Sequence, residues 1–178
     1  TDLRVGDAVF AVCDVGQEGA YAEKIAIKAS IVAKKPDQLS HVDAAALALA
    51  GLTAICTVED TLKLKAGETI LIQGGAGGVA SFAIQLAKHL GARVITTASA
   101  SNHDYMRKIG ADEIIDYNAV DFTKVVKGCD AVFETVGGDV AGVAVSTRSF
   151  TSSAAWAIAL ALLSMIFGAS PPTTCGQK

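Results

Sequence analysis

The sequence lacks the features of several common functional classes. Fifteen basic residues stand against 18 acidic ones, for a net charge of −3, so no basic footprint for nucleic acid is present. The cysteines are widely spaced and none forms a C-x-x-C pair, and the three histidines are scattered as well. This spacing predicts neither a disulfide framework nor a metal site. Incidental thiols indicate a reducing compartment, and we expect a cytoplasmic protein.

The chain also begins without the pattern of an export signal. Its first residues, Thr1-Asp2-Leu3-Arg4, are charged at once, and no initiator methionine precedes them. We therefore expect a fragment of a longer protein. Residues 154–167 form an apolar run of fourteen residues, whereas a membrane span needs about 20. A buried or surface helix is the favoured interpretation of this run, and a membrane anchor is the alternative.

What the sequence does contain is a glycine-rich turn between two regular patterns. Residues 70–73 are typical of a short buried strand, and four of the next five residues are glycine. Apolar residues then recur at helical spacing, as far as the helix-ending Gly91: Val79, Phe82, Ala83, Leu86, Ala87 and Leu90. The glycines therefore lie between a strand and the N-terminus of a helix.

This position favours the binding of a phosphate. Glycines let the backbone turn tightly and let a ligand approach closely, and the first turn of a helix offers unpaired N–H groups to an anion. Gly75, Gly77 and Ala80 fit G-x-G-x-x-A, the dinucleotide fingerprint of a βαβ unit. The alternative is a strand–helix turn that binds nothing.

The rest of the chain predicts an α/β fold, a doubly wound parallel sheet of the Rossmann type. Further strands are expected at 93–97, 113–117 and 130–136, which gives four strands in this part, with helices at 102–109 and 121–127. Upstream, Ser40 and Asp43 form a capping box, and Gly51 is expected to divide helices at 44–50 and 52–62. Strands expected at 5–12, 20–27 and 28–33 belong to another module.

The end of the second strand bears on the choice of cofactor. NAD-binding units place Asp or Glu about 20 residues after the glycines, where it binds the ribose hydroxyls. Here residues 98–102 contain no carboxylate, but they do contain Ser99, Ser101 and Asn102. The absence of a repelling charge favours NADPH, although no Arg or Lys lies in this segment.

Six motifs occur in an order and spacing that resemble a known family. They are Val5-Gly-Asp-x-Val, Gly19-Ala-Tyr-Ala-Glu23, Ala44-Ala-Ala…Ala50-Gly-Leu-Thr-Ala54, the stretch from Gly67 to Val79, the stretch from Gly110 to Tyr117, and Asp130…Thr135-Val-Gly-Gly138. Together they resemble the medium-chain dehydrogenase/reductase superfamily, and in particular its zinc-independent quinone oxidoreductase branch. The resemblance implies the end of a GroES-like β-rich domain at 1–40, a truncated Rossmann domain at 41–150 and an atypical tail at 151–178.

The resemblance also implies a reaction and its site. NADP(H) would deliver a hydride to a quinone or to the double bond of an enone or enoyl thioester, without a metal and with no assigned catalytic residue. A homodimer is expected of the full-length family. By resemblance and by the reasoning above, the expected cofactor-binding residues are Thr53, Gly74, Gly75, Ala76, Gly77, Gly78, Val79, Ser99, Asn102, Tyr117, Val136 and Gly137.

The alternatives for two of these residues, and for the chain as a whole, stay open. Thr53 is equally well an ordinary helix residue, and Tyr117 is alternatively a core tyrosine at a strand end. The chain departs from the family pattern after Phe150, where the next sheet segments are expected to be replaced by unrelated sequence. Three hypotheses follow: a reductase seen as a partial chain, a nucleotide-binding module without turnover, and a protein anchored to a membrane by residues 154–167.

Overall fold

A computed structural model describes residues 2–14, 19–137 and 146–150. The tail at 151–178, including the apolar run at 154–167, lies outside the described residues. The chain divides into two compact units, and the boundary between Leu49 and Ala50 falls within a helix. The expected domain limits at 40 and 150 therefore stay a prediction.

The N-terminal unit contains a two-stranded antiparallel sheet. Strand β1 (Val9–Ala11) pairs with β2 (Val32–Lys34), and a 3₁₀ turn at Ala29–Ile31 precedes β2. The prediction of a strand at residues 20–27 was wrong. Tyr21 and Ile25 are exposed there, and alternation in sequence forms a strand only where a neighbouring strand pairs with it.

Helix α1 (His41–Ile55) is continuous and passes through Gly51. The Ser40 hydroxyl caps its start, accepting the Asp43 N–H at 3.1 Å and donating to the Asp43 carboxylate at 2.6 Å. The expected break at Gly51 was wrong, because a buried glycine inside a helix costs only about 1 kcal/mol. A π-helical segment, Cys56–Thr61, ends the helix. By length and apolar composition His41–Thr61 could cross a membrane, a property that core helices share.

The second unit contains a parallel five-stranded sheet within the described residues. Its order is β5-β4-β3-β6-β7, with β3 at Thr69–Ile72, β4 at Arg93–Thr97, β5 at Glu113–Ile115, β6 at Cys129–Phe133 and β7 at Ser146–Phe150. Helices α2 (Gly78–His89), α3 (His103–Lys108) and α4 (Phe122–Val125) connect the strands. The α/β fold class is confirmed, and the strand order reverses at β3, where ligands of such sheets bind.

Strand β7 corrects the expectation of four strands in this part. It runs parallel to β6, with Cys129 opposite Ser146 and Phe133 opposite Phe150. Arg148 anchors it, donating to the carbonyl of Leu62 at 2.8 Å and pairing with Glu68 at 2.6 Å. Sequence reasoning missed this strand because its five residues include one large apolar side chain, so they show no hydrophobic periodicity.

Leu71 lies at the centre of an apolar layer on one face of the sheet. Around it pack Ile95, Ile115, Phe122, Val126, Cys129 and Val132. The layer fills the space between the strands and α4, so burial of about 1.5–3 kcal/mol per large apolar side chain holds the strands in register. The carboxyl ends of β3, β4 and β6 are thereby held side by side.

Candidate functional site

The glycine turn leaves the carboxyl end of β3 and enters α2. Gly74 adopts a left-handed φ of +67°, which only glycine adopts readily. The N–H of Gly74 donates to the Thr97 hydroxyl at 3.0 Å, and the N–H of Gly75 donates to the Thr97 carbonyl at 2.9 Å. Thr97, at the end of β4, thus holds the start of the turn from two sides. Sequence reasoning missed Thr97, because a threonine inside a strand pattern gives no separate signal.

Gly75 has a packing role in this structure. A Cβ placed on it would lie 2.2 Å from the Thr96 hydroxyl and 2.8 Å from the sulfur of Met106. The Thr96 hydroxyl is itself committed, since it donates to the carbonyl of Ile72 at 2.7 Å. The absence of a side chain at 75 therefore lets α2 and α3 approach the sheet.

Gly77 and Gly78, in contrast, lie on the open side of the turn. A Cβ on Gly78 would meet nothing within 4 Å, and one on Gly77 would meet only the carbonyl of Gly74, at 3.2 Å. Ala76, Gly77 and Gly78 are exposed, and Val79 is partly exposed. The first N–H groups of α2 start from this open backbone, where no intrahelical acceptor exists for them. A helix N-terminus without side chains fits an anionic phosphate in charge and in shape.

A cluster of polar side chains follows the end of β4. The Ser99 hydroxyl accepts a hydrogen bond from the Asn102 amide at 3.0 Å and lies 3.2 Å from the Ser101 hydroxyl. Asn102 precedes α3 but does not cap it with its side chain, and its backbone lies in the αR region (φ −100°, ψ −2°) and not in the extended region typical of an N-cap. Ala98 is only 2% exposed, so Ser99 is the first residue after the strand whose side chain reaches solvent.

Tyr117 lies two residues beyond β5, at the same edge of the sheet as Ser99. Its side chain is 55% exposed, which argues against the alternative of a core tyrosine. The register pairs Thr97 with Ile115, so the ends of β4 and β5 are neighbours. An exposed aromatic ring at this edge offers a flat apolar face beside the polar cluster.

The segment after β6 packs against the glycine turn. A Cβ on Gly74 would lie 2.8 Å from a methyl of Val136, so these two residues are in close contact. The Thr135 hydroxyl donates to the carbonyl of Gln73 at 2.6 Å. Gly137 has a φ of +79°, which lets the chain turn away from the strand. The structure therefore brings Val136 and Gly137 beside the turn.

Thr53 lies on α1, where its side chain is partly exposed, and its role stays a prediction. The described residues contain no group of three or more His, Cys, Asp or Glu that could hold a metal. Burial raises the pKa of the Cys56 and Cys129 thiols, and nearby carboxylates raise it further. Neither thiol is therefore primed as a nucleophile.

Comparison with known proteins supports the assignment suggested by these features. A family profile described as "Zinc-binding dehydrogenase" matches residues 78–151. The chain is 38% identical over 143 residues to 2-methylene-furan-3-one reductase of Solanum lycopersicum, covering 76% of this chain and 37% of that protein. It is also 38% identical to the NADPH-dependent alkenal/one oxidoreductase of Arabidopsis thaliana, a chloroplastic protein, with the same two coverages.

A solved structure agrees with both the fold and the relatives. The quinone oxidoreductase from Coxiella burnetii superposes with a TM-score of 0.74 at 38% identity, covering 79% of this chain and 45% of that one. The chain thus spans less than half the length of these relatives. The parallel sheet, the glycine turn and these similarities agree, and the proteins that this chain resembles are quinone and enone oxidoreductases of the medium-chain dehydrogenase/reductase superfamily.

Proposed function

We propose that this chain carries the nucleotide-binding part of an NADPH-dependent oxidoreductase that reduces a quinone or the activated double bond of an enone or enoyl compound. The observation that carries the proposal is the open backbone at Gly77 and Gly78. It lies at the N-terminus of α2 and at the point where strand order reverses. The bound nicotinamide would supply the hydride, and the described residues would bind and orient the cofactor.

Most of the expected residues have a physical role in this proposal. The N–H groups at the start of α2 would bind the pyrophosphate, and the exposed ring of Tyr117 would cover one face of the adenine. Val136 and Gly137 would border the half of the cofactor that lies on the β6 side. Positioning of this kind contributes to rate because hydride transfer tolerates little misplacement: about 1 Å can cost about a hundredfold.

The preference for NADPH over NADH rests on the polar cluster after β4. Ser99, Ser101 and Asn102 can donate hydrogen bonds to a 2′-phosphate, and residues 98–102 carry no carboxylate that would repel it. His103 adds a ring nitrogen 3.4 Å from the carbonyl of Ala98. Arg107 pairs with Asp104 at 2.7 Å, so its charge is partly committed elsewhere.

The proposal is tested by cofactor titration of the purified chain and of Gly77→Val. The added branched side chain would occupy the volume of the phosphate. The backbone at Gly77, φ −74° and ψ 157°, is in a region that any residue adopts, and the new Cβ would meet only the Gly74 carbonyl, at 3.2 Å. We expect NADPH binding to the parent chain and a loss of at least about tenfold in the variant, with an unchanged circular dichroism spectrum. Ala119→Val, at an exposed loop position, is the matched control.

If Gly77→Val bound NADPH as tightly as the parent chain does, the cofactor would have to bind elsewhere.

Turnover is tested separately, by NADPH oxidation in the presence of a quinone or an enone. Binding without turnover would favour the second hypothesis, a nucleotide-binding module. Association with a membrane, homodimer formation and the cytoplasmic location stay predictions, as does the role of residues 151–178.

A further inference from the structure

A buried row of polar residues lies beneath the glycine turn. In the sheet register, Ile72 lies opposite Thr96 on β4 and opposite Phe133 on β6. The next residues along these three strands are Gln73, Thr97 and Glu134. Alternate residues of a strand share a face. These three residues therefore lie on the same face of the sheet as the apolar layer of Leu71, nearer the carboxyl ends of the strands. They are 1%, 4% and 2% exposed, respectively. A fully polar row at three central strand ends is unusual in a parallel sheet, whose strands are normally apolar throughout.

Glu134 is the charged member of this row, and its contacts are specific. One carboxylate oxygen, Oε1, accepts hydrogen bonds from the backbone N–H groups of both Val136 and Gly137. A buried carboxylate is costly unless hydrogen bonds satisfy it, and bonds between N–H groups and an ionised acceptor are about twice as strong as neutral ones. The carboxylate therefore fixes the path of the two residues that follow it.

The segment fixed in this way is the one that contacts the glycine turn. The methyl of Val136 packs against Gly74, and the Thr135 hydroxyl binds the carbonyl of Gln73. Strand β6 lies on the opposite side of β3 from β4. In the proposed function the polar cluster after β4 binds the adenosine half. Since a dinucleotide spans the crevice where strand order reverses, the nicotinamide half would then lie on the β6 side.

We infer that Glu134 is a positioning residue for the nicotinamide half of the cofactor, acting through the backbone of Val136 and Gly137. The inference rests on the proposed function. It assigns to Glu134 no contact with the cofactor or the substrate. Its carboxylate holds the loop, and the loop borders the cofactor. Loss of the acceptor oxygen is therefore expected to affect one half of the dinucleotide and to spare the other.

Two substitutions whose side chains match glutamate in length separate this positioning role from a general structural role. Glu134→Met keeps the length of the side chain and the apolar contacts of its stem but removes the acceptor oxygen. Glu134→Gln also removes the charge but keeps an oxygen at the same place. Glu113→Gln is the control, because Glu113 is an exposed carboxylate on β5 that pairs with Arg93 at 2.7 Å.

The first measurement is amide hydrogen exchange without cofactor. We expect exchange at Val136 and Gly137 to accelerate at least about tenfold in Glu134→Met, since the lost bonds are to a charged group. In Glu134→Gln we expect an acceleration of about threefold or less, and exchange in the rest of β6 should change little. Unchanged exchange in Glu134→Met would overturn the inference whether or not the chain binds a cofactor.

The second measurement compares NADPH with 2′,5′-ADP, which represents the adenosine half alone. We expect Glu134→Met to raise the Kd for NADPH about tenfold and the Kd for 2′,5′-ADP by less than about twofold, with Glu134→Gln restoring most of the NADPH affinity. An equal loss for both ligands would overturn the inference and make Glu134 a general support of the sheet. If the parent chain bound neither ligand, the proposed function would fail, and with it the link between Glu134 and the cofactor.

Discussion

The clearest structural prediction is that replacing each of two glycines of the same turn by alanine changes the free energy of unfolding with different signs. In Gly75→Ala the new methyl would lie 2.2 Å from the Thr96 hydroxyl and 3.1 Å from a methyl of Ile84. Gly75 is not in the left-handed region, so the cost is steric. Overpacking of a well-filled site costs about 1–3 kcal/mol.

A displaced Thr96 would add to this cost. Its hydroxyl would lose the 2.7 Å bond to the carbonyl of Ile72, with a net loss of about 0.5–1.5 kcal/mol. The free energy of unfolding should therefore fall by about 1.5–4.5 kcal/mol in Gly75→Ala. In Gly78→Ala nothing lies within 4 Å of the new carbon, and replacing a helical glycine should change stability by between zero and about +1 kcal/mol.

The assay is urea unfolding of the parent chain and both variants without cofactor, monitored by circular dichroism. With a slope of about 1–3 kcal/mol per molar urea, the midpoint of Gly75→Ala should fall by at least about 0.5 M, while that of Gly78→Ala stays level or rises. A neutral Gly75→Ala, or an equal loss in both variants, would refute the packing role assigned to Gly75.

Three further outcomes are expected. Ser99→Asp should weaken NADPH binding more than NADH binding, because a carboxylate repels a 2′-phosphate and can bind ribose hydroxyls; equal loss of affinity for both would contradict the placement of the ribose. Arg148→Ala should lower the urea midpoint, because it frees β7 from Leu62 and Glu68, whereas Arg107→Ala, which removes an exposed pair with Asp104, should change it little. For Asp112, burial raises the pKa, but bonds from Lys88 and the Val94 N–H outweigh burial and lower it overall. Its stabilising effect is thus present above the unfolded carboxyl pKa of about 3.9 and is lost as the pH falls through the lower folded value. The stability difference between the parent chain and Asp112→Asn should be seen at pH 7 and should shrink towards pH 3; a difference that is constant with pH would contradict this.

Much of the Rossmann part could be predicted because its signals are local. The strands at β3, β4 and β6 are short runs of β-branched and apolar residues, and α2 shows a clear apolar face. Gly91, Gly110 and Gly128 end their segments with left-handed backbones. Each of these features depends on a few neighbouring residues, so the order of residues is sufficient to predict it.

The errors occurred where the decision was not local. Residues 20–27 have a strand-like composition but no strand pairing in the structure, whereas Ser146–Phe150 has little strand signal and pairs with β6. Strand formation depends on the neighbour that supplies main-chain partners. The position proposed for the ribose is not decided locally either, because the burial of Ala98 and the exposure of Ser99 follow from packing.

The sequence by itself determined the class of the fold, the glycine turn and the absence of a carboxylate after the second strand, because periodicity, chain flexibility and charge are properties of the residues. The tertiary structure decided which glycine serves which purpose: Gly75 faces Thr96 and Met106, while Gly77 and Gly78 face open space. It also decided that Glu134 holds Val136 and Gly137 through a buried carboxylate. These roles depend on side chains and strands that are distant in sequence, and only packing brings them together.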